Sequence, residues 1–474
     1  METVIRPHPE NTRYFLYQGK PTVLITSTEH YGAVSNAAFD YVQYLDMLAS
    51  YGFNLSRMAV VMREAESEFK GTVGWQNTVA PRPENYIGPW KRSNVPGHLD
   101  GLNKIDLDVW NEEYFTRLKD FCGKAAERGI IVEVTFFSQN YNNNPDSPWT
   151  LNPLNPANNS SGEGASAFNR YLTCENSVLL KRQDDLVRKV VAELEGFENI
   201  YYEICNEPPY PQDDNAELPA DHPDVLGEKA ISEWHNHIAS VIKDAEGTFA
   251  QKHMISVGDP HEHLDVQLFS IFNYHYREWS ENGLKRHFAL KKVLSFDETL
   301  TGIVSWNREL LFDDRRMEAW EFFMRGFAVY DYLDFTIATD DPKGEGNVVF
   351  PDGQRYDGTM LRIHLKMLKD FMDSIDYVHM TPDNSIIKSI SDTAKTWVLA
   401  NAGEEYALYI RGSGLKAITV ELPRGMWRAE WYSTTAGKIH RASITEGGGD
   451  VALEMPPYQA DIALSLKRID NGRI

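Results

Sequence analysis

Two segments place carboxylates where a buried strand runs out. Ile200-Tyr201-Tyr202-Glu203-Ile204-Cys205-Asn206-Glu207-Pro208 reads as an apolar strand with Glu207 at its end and a proline beyond that stops it. Val293-Leu294-Ser295-Phe296-Asp297-Glu298-Thr299 reads the same way and puts Glu298 at the end of a second strand. An Asp-Glu pair after an apolar run is common and usually just solvated, so position carries the argument. If both strands belong to one parallel barrel, the two carboxylates share its C-terminal face. At about 5 Å apart, one of them could attack an anomeric carbon while the other protonates the leaving oxygen, which is the equipment of glycoside hydrolysis.

The rest of the chain has to supply that barrel. A Gly-containing hairpin, Tyr14–Tyr17 and Thr22–Thr26, opens it, and Phe39, Val42, Leu45 and Leu48 then recur at helical spacing up to Gly52. Strands follow at 53–62, 130–137, 200–205, 254–257, 268–276, 292–296 and 334–338, with helices near 112–128, 177–194, 227–245 and 317–330 between them. That makes eight β-runs, the first at Thr22, the count of a (β/α)8 TIM barrel. An open doubly wound sheet would lead one to expect a Gly-x-Gly-x-x-Gly turn after an early strand, and there is none. Two long connections, 64–107 and 139–176, both follow strands and so fall on the active face, where they are expected to shape a pocket. After residue 375 short alternating runs at roughly ten-residue spacing, among them 417–422 and 428–432 with Pro423-Arg424-Gly425 as a turn between them, indicate a small antiparallel β-sandwich. The division is therefore 1–375, a catalytic barrel with an N-terminal hairpin, and 376–474, an accessory sandwich that reads as a brace.

Composition narrows the partners. The chain has 474 residues, 42% hydrophobic and 24% charged, with a net charge of −22. There is no basic surplus to release counterions, so nucleic acid is not expected as a partner, and no apolar run is long enough to span a membrane as a helix. Cys122, Cys174 and Cys205 have no Cys-x-x-Cys spacing and specify neither a disulfide framework nor a zinc site. The N-terminus lacks a signal-peptide pattern, so the chain reads as cytoplasmic as written, or secreted or periplasmic if an export signal has been trimmed. Neither oligomeric state nor sugar identity can be read from it.

With Asn206-Glu207-Pro208 on the fourth strand and Glu298 on the seventh, the chain resembles the clan A retaining glycoside hydrolases, the cellulase-like (β/α)8 enzymes. Gly52-Phe53-Asn54-Leu55-Ser56-Arg57 is similar to that clan's second-strand Gly-x-Asn-x-x-Arg. The resemblance covers roughly residues 14 to 375. The tail, with Tyr406–Ile410 and Gly425–Trp431, looks like the small sandwich that often follows such barrels. The resemblance implies Glu207 as general acid/base, Glu298 as nucleophile, Asn206 on the sugar 2-hydroxyl and Arg57 near Glu298. It also implies a strand-6 tyrosine bonded to the nucleophile. His275-Tyr276 are adjacent here instead of His-x-Tyr, which leaves Tyr276 or Tyr274, with Tyr276 preferred. The strand-8 tryptophan of many clan members is replaced by Phe335-Thr336-Ile337-Ala338, and Trp306 is the candidate substitute. His275, Glu29, His30 and His261 complete the expected sugar contacts.

His261-Glu262-His263 invites a metal test, but strand 1 ends in a single His, so no metal or cofactor is expected. The expectation is thus a retaining hydrolase of an oligosaccharide or glycoside, by exo-action. The rival readings are a non-catalytic carbohydrate-binding barrel and a metal-dependent hydrolase barrel; a transglycosylase would use the same residues.

Overall fold

The computed structural model describes residues 4–63, 77–139, 147–165, 168, 170–208, 227–258, 262–275, 287–299, 308–347, 355, 357–437 and 439–469. Eight parallel strands form the barrel: β1 (Leu24–Thr28), β2 (Leu55–Ala59), β3 (Ile131–Ser138), β4 (Ile200–Asn206), β5 (Ile255–Val257), β6 (Ile271–His275), β7 (Val293–Glu298) and β8 (Val329–Leu333). Their order is β1-β8-β7-β6-β5-β4-β3-β2. Every residue of β3, β4 and β7 is buried, which is why these segments read as near-continuous apolar runs.

The seam between β1 and β2 is closed largely by one side chain. Asn54 accepts from Ile25 N at 3.1 Å and donates to Val23 O at 2.9 Å, beside one backbone bond, Asn54 N to Ile25 O at 3.4 Å, and Thr26 Oγ1 to Leu55 O at 2.6 Å. This gives the Asn of the Gly-x-Asn-x-x-Arg segment a structural task, with Arg57 three residues on inside the barrel. Among the described residues six helices of ten residues or more pack outside: α1 (Tyr41–Ser50), α2 (Glu112–Glu127), α3 (Ser177–Glu193), α4 (Glu228–Ala245), α5 (Arg308–Met324) and α6 (Thr359–Asp373). Asp40 caps α1 through the N–H groups of Val42 and Gln43, and Gly52 and Gly129 take up φ values of +74° and +69° just after α1 and α2.

One expected element is displaced. The eighth strand lies at Val329–Leu333, not 334–338, because the preceding helix stops at Met324, just before Gly326 with φ +85°, and does not continue to Tyr330. The true strand is disguised by Asp331 at its centre. That carboxylate is buried and accepts from Thr28 N at 3.1 Å and Thr28 Oγ1 at 2.6 Å, so β1 satisfies it. Residues 334–338 form the turn after the strand.

Inside the long connection after β2 lies a hairpin, Trp90–Pro96 paired with Asn103–Trp110. It is tied to the connection after β3 through Ile105 N to Asn158 O and Ser160 N to Ile105 O, both 2.8 Å. The two connections therefore form one wall.

Past α6 comes a curled seven-stranded antiparallel sheet. The runs expected as separate strands at 417–422 and 428–432 are one strand, Ala417–Ser433, whose register slips between Leu422 and Gly425. Its first half pairs with Ile387–Ser389 and its second with Asp461–Ile469, so the strand passes from one layer to the other. The sheet packs on α5: Trp320 stacks on Tyr409 at 5.5 Å, and Arg316 meets buried Asp461 at 2.5 Å. No described helix is long and apolar enough to cross a membrane.

Candidate active site

Glu207 is the first residue past β4, and its φ of +45° is a left-handed conformation that a non-glycine residue seldom adopts. Such strain persists where the surroundings over-determine it, and it gathers at functional sites. The turn leaves the side chain 18% exposed, while Asn206 just before it is buried.

On β7 the device is a bulge. Pairing with β6 runs Asn273↔Ser295 and then His275↔Glu298, so β7 spends three residues where β6 spends two. Bulges re-aim side chains, and here the consecutive Asp297 and Glu298 both reach interior partners. An oxygen of Glu207, a ring nitrogen of His275 and an oxygen of Glu298 all lie within 4.8 Å of one another.

Arg57 holds the floor together. Its Nη1 donates to Glu298 Oε2 at 3.1 Å and to the Tyr31 hydroxyl at 2.8 Å. Its Nη2 donates to Glu203 Oε2 at 2.5 Å and Asn206 Oδ1 at 2.8 Å, and its Nε to Glu203 Oε2 at 3.0 Å. Asp297 Oδ2 and Glu133 Oε2 stand 3.5 and 3.8 Å from Nε. Burial lowers the guanidinium's pKa, but the surrounding acidic groups, Glu203 first, raise it well above the ordinary value. The Tyr31 hydroxyl in turn donates to Glu298 Oε2. Asn273 Nδ2 bridges Glu133 Oε1 and Glu203 Oε1, and Thr135 Oγ1 donates to Glu203 Oε2 at 2.6 Å.

So many buried acids around one cation cannot all be ionised. Burial, then Asp297 and Glu203, push Glu133 well above the usual carboxylate range. Against the upward push of burial, Arg57 and His275 hold Asp297 below that range. Burial also raises Asp331 to about 8. A carboxyl whose folded pKa exceeds its unfolded one contributes stability below the unfolded value and loses it as pH rises toward the folded value. Glu133→Gln keeps the shape of a neutral carboxyl without that liability. Its stability relative to wild type should therefore increase between pH 4.5 and 7.5, read from urea midpoints at the two pH values. A relative loss at the higher pH would show Glu133 to be ionised.

Of the residues expected from sequence, Glu207, Glu298, Asn206, Arg57 and His275 are brought together. Glu29 is fully buried and turns back on its own loop, accepting from Gly32 N at 2.7 Å and Ala33 N at 3.1 Å; burial raises it to about 8. It anchors the turn that presents Tyr31. His30 is buried between Tyr31 and Phe335, with ring centroids at 5.5 and 5.0 Å. Phe335 is thus the aromatic at the end of β8. Tyr276, Trp306 and His261 lie outside the described residues. Tyr274 is bonded to His287, and Tyr31, from the turn after β1, places its phenol on Glu298.

Sequence reading also missed Asp297, Glu133, Glu203 and Asn273 as site residues. The available signal was a lone acid inside an otherwise apolar strand, as in Val132-Glu133-Val134 and Tyr202-Glu203-Ile204. Nothing in the sequence announced Tyr31, since its position depends on a turn with φ +58°.

Among the described residues two trios have the spacing to hold a metal: Glu207, His275 and Glu298, and Glu133, Glu203 and Asp297. In the second, Arg57 already stands among the carboxylates as the cation. Glu262 and His263 of the sequence-level metal candidate are exposed, with backbone bonds to Glu228 and Asn236 of α4.

No protein-family model matches the chain, and no curated protein matches it by sequence. Among solved structures it is similar to a protein described as a glycoside hydrolase, with TM-score 0.60 and 13% identity over 98% of this chain and 97% of the other. It is equally similar, with TM-score 0.60 and 13% identity, to a glycoside hydrolase family 5 protein from Bacteroides vulgatus ATCC 8482, over 100% of this chain and 94% of that one. At such identity the likeness is one of fold. It extends over barrel and appended sheet together.

Proposed function

We propose that the protein is a retaining glycoside hydrolase acting by double displacement on a carbohydrate substrate. The observation that carries this reading is the approach of Glu207 and Glu298 oxygens to within 4.8 Å at the C-terminal ends of β4 and β7. Retaining enzymes hold their carboxyls about 5–5.5 Å apart, whereas inverting enzymes leave about 6.5–9.5 Å for a water. Glu298 attacks the anomeric carbon as Glu207 gives its proton to the departing oxygen, and the glycosidic C–O bond breaks. A glycosyl ester of Glu298 remains. Water then gives a proton to Glu207 and its oxygen to the anomeric carbon, freeing Glu298. Arg57 and Tyr31 both engage Glu298 Oε2, which fixes the carboxylate plane and directs Oε1 at the sugar.

Asn206, held by Arg57, is the residue for the 2-hydroxyl. The wall made by the connections after β2 and β3 favours exo-action on a short chain.

The test is the configuration of the first-formed sugar, followed by NMR during hydrolysis of an aryl glycoside drawn from a broad panel. Retention is expected, with the rate unaffected by a chelator. First-formed inversion would exclude double displacement. Binding without turnover across the panel would leave a carbohydrate-binding barrel, and chelator-sensitive turnover a metal-dependent one.

A further inference from the structure

His275 is placed to do more than touch sugar. Its Nδ1 lies 3.2 Å from Glu207 Oε1 and its Nε2 lies 3.1 Å from Asp297 Oδ1, so both ring nitrogens face carboxylate oxygens. Asp297 is fully buried and reaches the ring only because of the β7 bulge. We propose that Asp297 and His275 are positioning residues that clamp the Glu207 carboxyl through Oε1 and thereby confine its exchangeable proton to Oε2. This inference rests on the glycosidase reading and adds the atom from which the proton moves.

The groups facing the pair are Arg57 from β2, Glu133 from β3, Glu203 and Glu207 at β4, Glu298 from β7 and Asp331 from β8. Burial alone would discharge the imidazole, yet Asp297 foremost, then Glu207 and Glu298, raise its pKa well above the ordinary histidine value. A ring protonated at both nitrogens can only donate, and Oε1 accepts from it better as the carbonyl oxygen than as the hydroxyl. The acid proton therefore sits on Oε2. In the first step it passes from Oε2 to the glycosidic oxygen as the C–O bond breaks, and the new carboxylate receives a charge-assisted bond from Nδ1. In the second step Oε2 takes the proton from water. The ring keeps both its protons throughout.

Asp297→Asn removes the charge that holds the imidazolium while nearly preserving shape, and His275→Gln removes the ring but leaves Asp297 beside Arg57. Both are measured on two aryl glycosides of the same sugar, one with an activated leaving group and one with a poor one. A poor leaving group needs the acid; an activated one hardly does. In both variants kcat/KM should fall on the order of 10-fold further for the poor leaving group than for the activated one, part of the 10²–10⁴ that general acid catalysis supplies. With the neighbouring positive charge gone, the basic limb of the Asp297→Asn pH profile should move to higher pH. Equal losses on both substrates with an unmoved limb would reduce the pair to structural support and overturn the proposal. Should Asp297→Asn not fold, His275→Gln gives the same leaving-group readout. Glu207→Ala and Glu298→Ala separate the two claims: if those variants keep full activity, the glycosidase reading itself falls. If they are inactive while the Asp297→Asn and His275→Gln variants treat both leaving groups alike, the clamp alone falls.

Discussion

Glu298→Ala should lose turnover on the order of 10⁶-fold, the scale seen when an enzyme nucleophile is deleted, and azide should restore part of it. The reason is stereochemical. With the carboxylate gone, azide can enter from the side that Glu298 occupied and displace the leaving group once, so the glycosyl azide formed has inverted configuration. In Glu207→Ala the nucleophile is intact and the ester still forms from an activated substrate. Azide then attacks that ester, and the product has retained configuration. The two products make the assignment of roles falsifiable atom by atom. Exchanged configurations would mean that the acid/base and the nucleophile have been named the wrong way round, and full activity in Glu298→Ala would remove the mechanism altogether. The bonding in the site favours the assignment as given. Glu298 Oε2 is fixed by Arg57 and Tyr31, as suits a group that must attack along one line. Glu207 stands beside a histidine that can steady both its protonation states.

How much of this was legible beforehand depended on whether a residue acts through strand position or through an irregularity. Glu207, Asn206, Arg57 and Glu298 lie on or just past strands whose apolar runs are unmistakable, and parallel barrels bring such ends to one face. The eighth strand was misplaced because Asp331 interrupts its pattern, and only β1 shows how that charge is satisfied. Tyr31 and Asp297 depend on a positive-φ turn and on a one-residue bulge, neither of which has a side-chain periodicity. The family resemblance draws a phenol on the nucleophile from β6, where Tyr276 lies outside the described residues, and the turn after β1 supplies Tyr31 to the same carboxylate. The tail's composition announced antiparallel strands, but the single strand Ala417–Ser433 was read as two because Pro423 and Gly425 look like a turn. In the structure they mark where one strand bends between layers.

Arg57→Met should be the most destabilising single change in the barrel, by about 3–5 kcal/mol at neutral pH, the cost of leaving buried charges without their partner. Four carboxylates, Glu133, Glu203, Asp297 and Glu298, lie within 3.8 Å of this one guanidinium. Without it Asp297, which Arg57 holds below the usual range, must rise above its unfolded value of about 3.9, and Glu133, already raised, goes higher still. Groups raised in this way contribute stability that is complete below the unfolded pKa and drains away as pH increases. The deficit against wild type should accordingly be largest near pH 7.5 and shrink toward pH 4, as measured by urea unfolding of both proteins across that interval. A deficit independent of pH would mean that Arg57 acts through packing rather than charge. Arg57→Lys then separates charge from geometry. An ammonium can neutralise the acids and recover much of the stability. It cannot present one edge to Glu203 and Asn206 while another meets Tyr31 and Glu298, which the guanidinium does with Nη2 and Nη1. Stability without turnover in the lysine variant is the expected result. Equal recovery of both would show that the site needs only a positive charge at this point, and that the planar fork contributes nothing to aiming the nucleophile.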